Sequence, residues 1–172
     1  MIGGRINGAV DVKDLISSPK FEANLTVSKL RYQKDELGDL TALVNNNTEN
    51  AFDVDVQPKG VHQLAAKGLY YTAPESKLDL KVDVQKIDLS QVESVSMGQI
   101  KEGKGYLNGQ FSINGRPSEP KITGGLKFND AGFRVTYINS YFTVPTQEIG
   151  FKTDEVNFNN FTLIDSLGKR AT

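Results

Sequence analysis

Residues 77–89 read KLDLKVDVQKIDL, with every second residue apolar: Leu78, Leu80, Val82 and Val84 alternate with Asp79, Lys81 and Asp83. A period of two is the signature of a β-strand with one apolar and one wet face, because successive side chains of a strand point to opposite sides. After Val84 the phase slips, and Ile87 and Leu89 continue on odd numbers. An extra residue at Gln85 or Lys86, a β-bulge or short break, accounts for such a slip.

The same alternation recurs along the chain. It carries Phe21, Ala23, Leu25 and Val27, then Phe52, Val54 and Val56, then Leu107, Gly109, Phe111 and Ile113. It continues through Ile122, Gly124, Leu126 and Phe128 to Phe133, Val135 and Tyr137. Helical signal is confined to LSQVESVSMGQI, where Ser90 and Glu93 have capping-box spacing and Leu89, Val92 and Val95 recur every three residues. That spacing predicts one short helix over 89–97, ending near Gly98. Turn chemistry marks NNNTEN at 45–50, PKG at 58–60, APES at 73–76, NGRPSEP at 114–120 and NDAG at 129–132. Of the 15 aromatic residues, 8 fall from Phe128 onward, which places the deepest apolar face at that end.

A chain of 172 residues fits one domain or a piece of something longer. A hydrophobic share of 38% argues against a thick, many-layered core and for an extended or one-sided architecture. Lys and Arg total 20 against 21 Asp and Glu, interleaved without blocks of like charge. Nucleic-acid binding, which needs a concentrated basic patch, is disfavoured on that ground. The absence of cysteine excludes disulfides, thiolate metal sites and thiol nucleophiles.

An internal repeat sharpens the picture. Shifted by 101 places, residues 4–43 lie over 105–144 without a gap, and seven of forty positions are identical: Gly4/Gly105, Asn7/Asn108, Gly8/Gly109, Ser17/Ser118, Pro19/Pro120, Lys20/Lys121 and Leu25/Leu126. Ordinary composition gives about two or three by chance. Apolar also meets apolar at Ile6/Leu107, Val10/Phe111, Val12/Ile113 and Val27/Phe128. Two copies of one strand–loop–strand unit, each burying its apolar side with its neighbours' help, are expected.

The chemistry-bearing residues favour no enzyme. GKGYLNG places Gly103, Gly105 and Gly109 one residue too long for a dinucleotide loop, and a strand pattern follows instead of a helix. His62 is the only histidine, and Asp53, Asp55, Asp79 and Asp83 sit on wet strand faces rather than opposed across a cleft. No catalytic group, metal site or cofactor is expected. The wet-face charges serve solubility and discourage edge-to-edge aggregation.

What remains is the apolar stripe, which periodicity alone reads in two ways. It is either the core of a β-sandwich, or the floor of an open, curved sheet that holds an apolar guest. The candidate lining is Phe21, Leu25, Val27, Leu80, Val82, Leu107, Phe111, Ile113, Leu126, Phe128, Phe133, Val135 and Tyr137.

One further pattern runs through Gly105, Gly109, Gly115, Pro120, Gly124, Leu126, Asp130, Ala131 and Phe133 to Phe161, Leu163 and Gly168. From about residue 77 to the end this order resembles the C-terminal region of the TamB family, the translocation and assembly module subunits related to the AsmA-like envelope proteins. The resemblance implies a single all-β excerpt, 1–172, of a long chain anchored in the inner membrane of a Gram-negative bacterium and crossing the periplasm. It implies an elongated curved antiparallel, solenoid-like sheet, the β-taco, with an apolar concave interior. It also implies a non-enzymatic part in outer-membrane protein assembly or secretion with an outer-membrane barrel partner, and in phospholipid transport. Phospholipid or unfolded outer-membrane protein strands are then the guests. The alternative left by the pattern is a β-sandwich module that captures partner strands at its sheet edges.

Overall fold

The computed structural model describes residues 2–16, 18–32, 35–59, 63–153, 155–158 and 161–171. They form one antiparallel sheet of 13 strands. Its first nine follow in chain order, each hydrogen-bonded to the one before: β1 (Ile2–Lys13), β2 (Lys20–Tyr32), β3 (Asp35–Asn45), β4 (Ala51–Lys59), β5 (Gln63–Tyr71), β6 (Lys77–Asp88), β7 (Ile100–Arg116), β8 (Glu119–Val135) and β9 (Ser140–Val144). β10 (Glu148–Thr153) and β11 (Glu155–Asn157) branch off the path, while β12 (Leu163–Asp165) and β13 (Arg170–Ala171) continue it beyond β9. The branch arises because β8, at 17 residues, is long enough for two partners on one side. Its residues 122–127 pair with β10 and its residues 131–135 with β9. One sheet with no second sheet among the described residues is a curved open architecture, not a sandwich.

The phase slip in β6 is a bulge. Val84 pairs with Gly109 and Ile87 with Leu107, so two residues of β6 oppose Asn108 alone. Without this insertion Ile87 and Leu89 would turn to the wet side. Leu89 is instead 5% exposed and packs with Phe128, Ala131 and Val144.

Glycine lets the long strands bend. Gly68, Gly109 and Gly124 lie inside β5, β7 and β8 with φ of 155°, 150° and 135°, a region side chains avoid. A Cβ on Gly124 would lie 2.4 Å from the carbonyl oxygen of Gln110 and 2.6 Å from Cα of Phe111. Strand curvature of this kind is made by glycine kinks and bulges together.

The two hairpins of the sequence repeat have the same register. Ile6 opposes Val27 and Val12 opposes Phe21; 101 residues later Leu107 opposes Phe128 and Ile113 opposes Ile122. Both second strands break register at equivalent positions, and both carry a left-handed residue there: Lys29 at φ 51° and Asp130 at φ 46°. The correspondence ends at the third strand, where Leu30 pairs with Gly38 but its counterpart Ala131 pairs with Val144.

Three local expectations are corrected. NDAG is a bulge inside β8, because strands on both sides keep pairing past Asp130. Pro58 of PKG stays in β4 opposite Leu40. Ser90 does not cap the helical segment, which is a 3-10 turn (Leu89–Gln91) followed by a single helical turn (Val92–Val95). The cap is Asp88, whose carboxylate accepts from the N–H of Ser90 at 3.0 Å and its hydroxyl at 2.7 Å. Glu93 reaches away to accept from the N–H of Gly103.

Gly124→Ala should lower unfolding stability by about 2 kcal/mol or more, since it adds both a φ penalty and a backbone clash. Gly98→Ala should cost about 1 kcal/mol, because Gly98 shares a positive φ but has no atom within 4 Å of an added Cβ. Urea unfolding of the two variants checks the order.

Candidate functional site

The register carries the alternating apolar residues of β1–β8 onto one face. One row runs Gly8, Leu25, Ala42, Val56, Ala66, Val82, Phe111, Gly124, Phe151 from β1 to β10, each directly opposite the next. The adjacent row runs Val10, Ala23, Val44, Val54, Gly68, Leu80, Ile113, Ile122. These two rows make a floor of mostly small side chains from β1 to β6. Phe21, Phe52, Tyr70 and Leu78 flank it on one side, and Val27, Leu40, Pro58 and Leu64 on the other.

Side chains of this face converge. Phe21 and Phe52 stand on β2 and β4 with β3 between them, yet their ring centroids are 5.4 Å apart. Phe111 and Phe151 meet at 6.2 Å across Gly124. Strands two apart are separated by about 9.6 Å in a flat sheet. The apolar face is therefore the one toward which side chains lean, and it forms the interior of a trough.

The trough is closed at one end and open at the other. Phe128 is 6% exposed, and Val144 is fully buried in the same cluster. Val92, Leu107, Phe133, Ile149, Phe161 and Leu163 pack around that cluster, with Phe161 edge-on to Phe128 at 5.5 Å. Nothing described covers the other end: on β1, Ile6 is 70% exposed and Val10 60%. On β2–β5 the apolar-face side chains are half-buried, and Ala23 alone among the described ones is buried. The whole chain exposes 11427 Å². A compact monomer of 18.9 kDa exposes about 8,300 Å².

Of the residues named from the sequence as lining, Phe21, Leu25, Val27, Leu80, Val82, Leu107, Phe111, Ile113, Leu126 and Phe128 stand on this face. Phe128 and Leu107 belong to the closed end, as does Phe133. Val135 is half-buried at the end of β8 opposite Ile100. Tyr137 is a correction. The chain leaves β8 at Val135 for a 3-10 turn (Thr136–Ile138) ending in left-handed Asn139, so the parity count stops before it. Tyr137 is 90% exposed.

The reading from sequence missed the centre of the floor, Ala42, Val44, Ala66 and Gly68, together with Ile149 and Phe151. The parity of LTALV over 40–44 signals the first two; Gly68 and the alanine pair of QLAAKGLYY hide the strand that carries the others.

Among the described residues the wet-face carboxylates Asp53, Asp55 and Asp83 are held by neighbouring polar side chains. Asp53 accepts from the backbone and hydroxyl of Thr48. Asp55 accepts from Gln57 at 2.8 Å and pairs with Lys67 at 3.3 Å, and these contacts, Gln57 foremost, hold its carboxyl below the usual range. Asp83 accepts from Gln110. A concavity of about 450 Å³ beside them is lined by Leu43, Asp53, Asp55, Lys67 and Leu69. Among the described residues no cluster of three or more His, Asp or Glu side chains has the arrangement of a metal site. His62 lies outside the described residues.

Arg134 donates to both carboxylate oxygens of Glu102, at 2.7 and 3.0 Å, and lies over the ring of Tyr141. That hydrogen bonding holds the Glu102 carboxyl below its ordinary value. A depressed folded-state value contributes stability above the unfolded value, and the contribution is lost as pH falls through the folded one. The pair is exposed, so the effect is small and screened by salt. Glu102→Gln should lower the urea midpoint slightly near pH 7 and leave it unchanged well below the carboxylate range, as unfolding at the two pH values checks.

No family model, curated protein or solved structure matches the chain.

Proposed function

We propose that this chain is a non-enzymatic, TamB-type component of envelope biogenesis, whose apolar trough accepts acyl chains of phospholipid, or apolar strands of unfolded outer-membrane proteins, on their way across the periplasm. The observation that carries the reading is the open apolar face of β1–β5, a floor of Ala42, Val44, Val54, Ala66 and Gly68 between raised rows, which ends at the buried Val82 and Val84 of β6. The resemblance in the sequence, from Gly105 to Gly168, points the same way.

The physics of such a task asks for no reacting group. Each methylene held in water costs about 0.8 kcal/mol, so an acyl chain of ~16 carbons meets a barrier on the order of 10 kcal/mol in leaving a bilayer. An apolar track lowers that barrier by solvation alone. Five strands at about 4.8 Å spacing give a floor about 19 Å long across β1–β5. A floor of small side chains admits a chain-shaped guest along the rows, whereas Phe111 and Phe151 fill the same row further on.

Binding of a spin-labelled phospholipid to the purified chain tests the reading. Val54→Asp puts a carboxylate in the floor and should weaken binding at least tenfold, while Lys67→Asp on the opposite face should not. Phe128→Arg is the poorer probe, because Phe128 is part of the buried cluster and the chain would lose its closed end. Equal binding by a folded Val54→Asp chain, with circular dichroism as the control, would overturn the proposal.

A further inference from the structure

Three turns at one rim of the sheet present apolar side chains to solvent. The first, at 96–99, follows the helical turn after β6 and carries Met97, 77% exposed. The second joins β8 to β9 and carries Tyr137 and Ile138, 90% and 53% exposed. Thr136 ties these two together: its N–H donates to the carbonyl of Gln99 at 2.9 Å and its hydroxyl to the carbonyl of Gly98 at 2.7 Å. The third, at 166–168, carries Leu167, 80% exposed. It stands at the same rim, because Asp165 pairs with Phe142 and the chain runs on from there toward Ser140, where β9 begins. All three are connections at strand ends, away from the outer edges of the sheet, so a strand added before β1 or beyond β13 would leave their tips exposed.

The charges follow the same division. None of residues 96–99, 136–139 or 166–168 is charged. Behind them the carboxylates are engaged: Glu102 with Arg134, Glu93 with the N–H of Gly103, and Asp165 with the N–H groups of Leu167 and Lys169 at 2.9 and 2.8 Å. Lys101 and Lys169, exposed at the bases of these turns, make no ion pair among the described residues. The rim is thus apolar at its points and cationic just behind them. At the opposite rim Ile16 is fully exposed, but its turn carries Asp14 and the next one Glu49.

We infer that this rim docks on the surface of a lipid bilayer containing anionic phospholipid, with Met97, Tyr137, Ile138 and Leu167 entering the interface and Lys101 and Lys169 meeting the phosphates. Separate projecting tips suit a fluid surface, which closes around each of them. A rigid protein partner would need a matched pocket for every tip. Tyrosine fits the headgroup level, where its ring is buried and its hydroxyl stays wet. Uncharged tips backed by lysine supply both components of interfacial binding, apolar burial and attraction to anionic lipid. The inference goes beyond the proposed function and does not rest on what the trough carries.

The chain has no tryptophan, so one introduced at a tip reports on that tip alone. Emission of Tyr137→Trp should move to the blue on vesicles of phosphatidylcholine with phosphatidylglycerol, and lipids brominated in the acyl chains should quench it. Ile16→Trp at the opposite rim should show neither effect. In vesicle flotation of the unmodified chain, adding phosphatidylglycerol to phosphatidylcholine should tighten binding at least tenfold, since the two lysines contribute about fivefold each. Met97→Ser/Ile138→Ser should weaken it about tenfold, with circular dichroism to confirm folding. A chain that ignores both kinds of vesicle would overturn the inference, as would equal binding by the folded double variant. So would a chain that binds no vesicles but self-associates in sedimentation velocity through these residues, losing that association in the double variant, because the tips would then be a protein contact.

Discussion

The structure depends on register. An antiparallel ladder commits each residue to a partner, and a shift of one place turns an entire strand over. From β1 to β10 the pairings hold Gly8, Leu25, Ala42, Val56, Ala66, Val82, Phe111, Gly124 and Phe151 in a single line. Where the sequence changes phase, a bulge compensates at once, as at Gln85–Lys86, Lys29 and Asp130. Among the described residues no second layer covers most of the sheet, so a mismatched strand would expose its apolar side on the wet face. Asp55 and Lys67, directly opposite on β4 and β5, form an ion pair in that alignment.

A one-layered sheet gains less from burial than a sandwich does, and this chain concentrates that gain at one end. Leu89, Phe128, Ala131 and Val144 are held between the helical turn after β6 and the returning segment around Phe161. There the protein has an ordinary core. Towards β1 the same face is progressively uncovered. The difference between the two ends separates a part that confers stability from a part free to hold something else, and the proposal of an acyl guest rests on the uncovered part.

Much of this was legible from alternation alone. The strand faces, the bulge in β6 and the placing of ten named residues on the apolar face follow from counting parity, because parity is a local property of the backbone. Distinguishing an open trough from a sandwich was not possible in that way, since both require the same alternation. Tyr137 was misplaced because the turn at Thr136–Ile138 carries no glycine or proline to announce it. The ladder of β2 with β3 is extended by a side chain: Oδ1 of Asn46 accepts from the N–H of Phe21 at 2.8 Å, and its Nδ2 donates to the carbonyl of Pro19. An asparagine-rich run reads as a turn, and nothing in the local sequence reveals that one of its members acts as a strand residue. The double partnering of β8 is equally silent, because it depends on where a distant strand docks.

The central claim is that the small-residue floor of β1–β5 is the surface that receives an apolar guest. Intermolecular nuclear Overhauser contacts between a bound fatty acid and methyl-labelled protein address it directly. The account predicts contacts from chain methylenes to the methyls of Ala42, Val44, Val54 and Ala66. Contacts confined to Leu43 and Leu69 on the opposite face, or no contacts at saturating fatty acid, would contradict it.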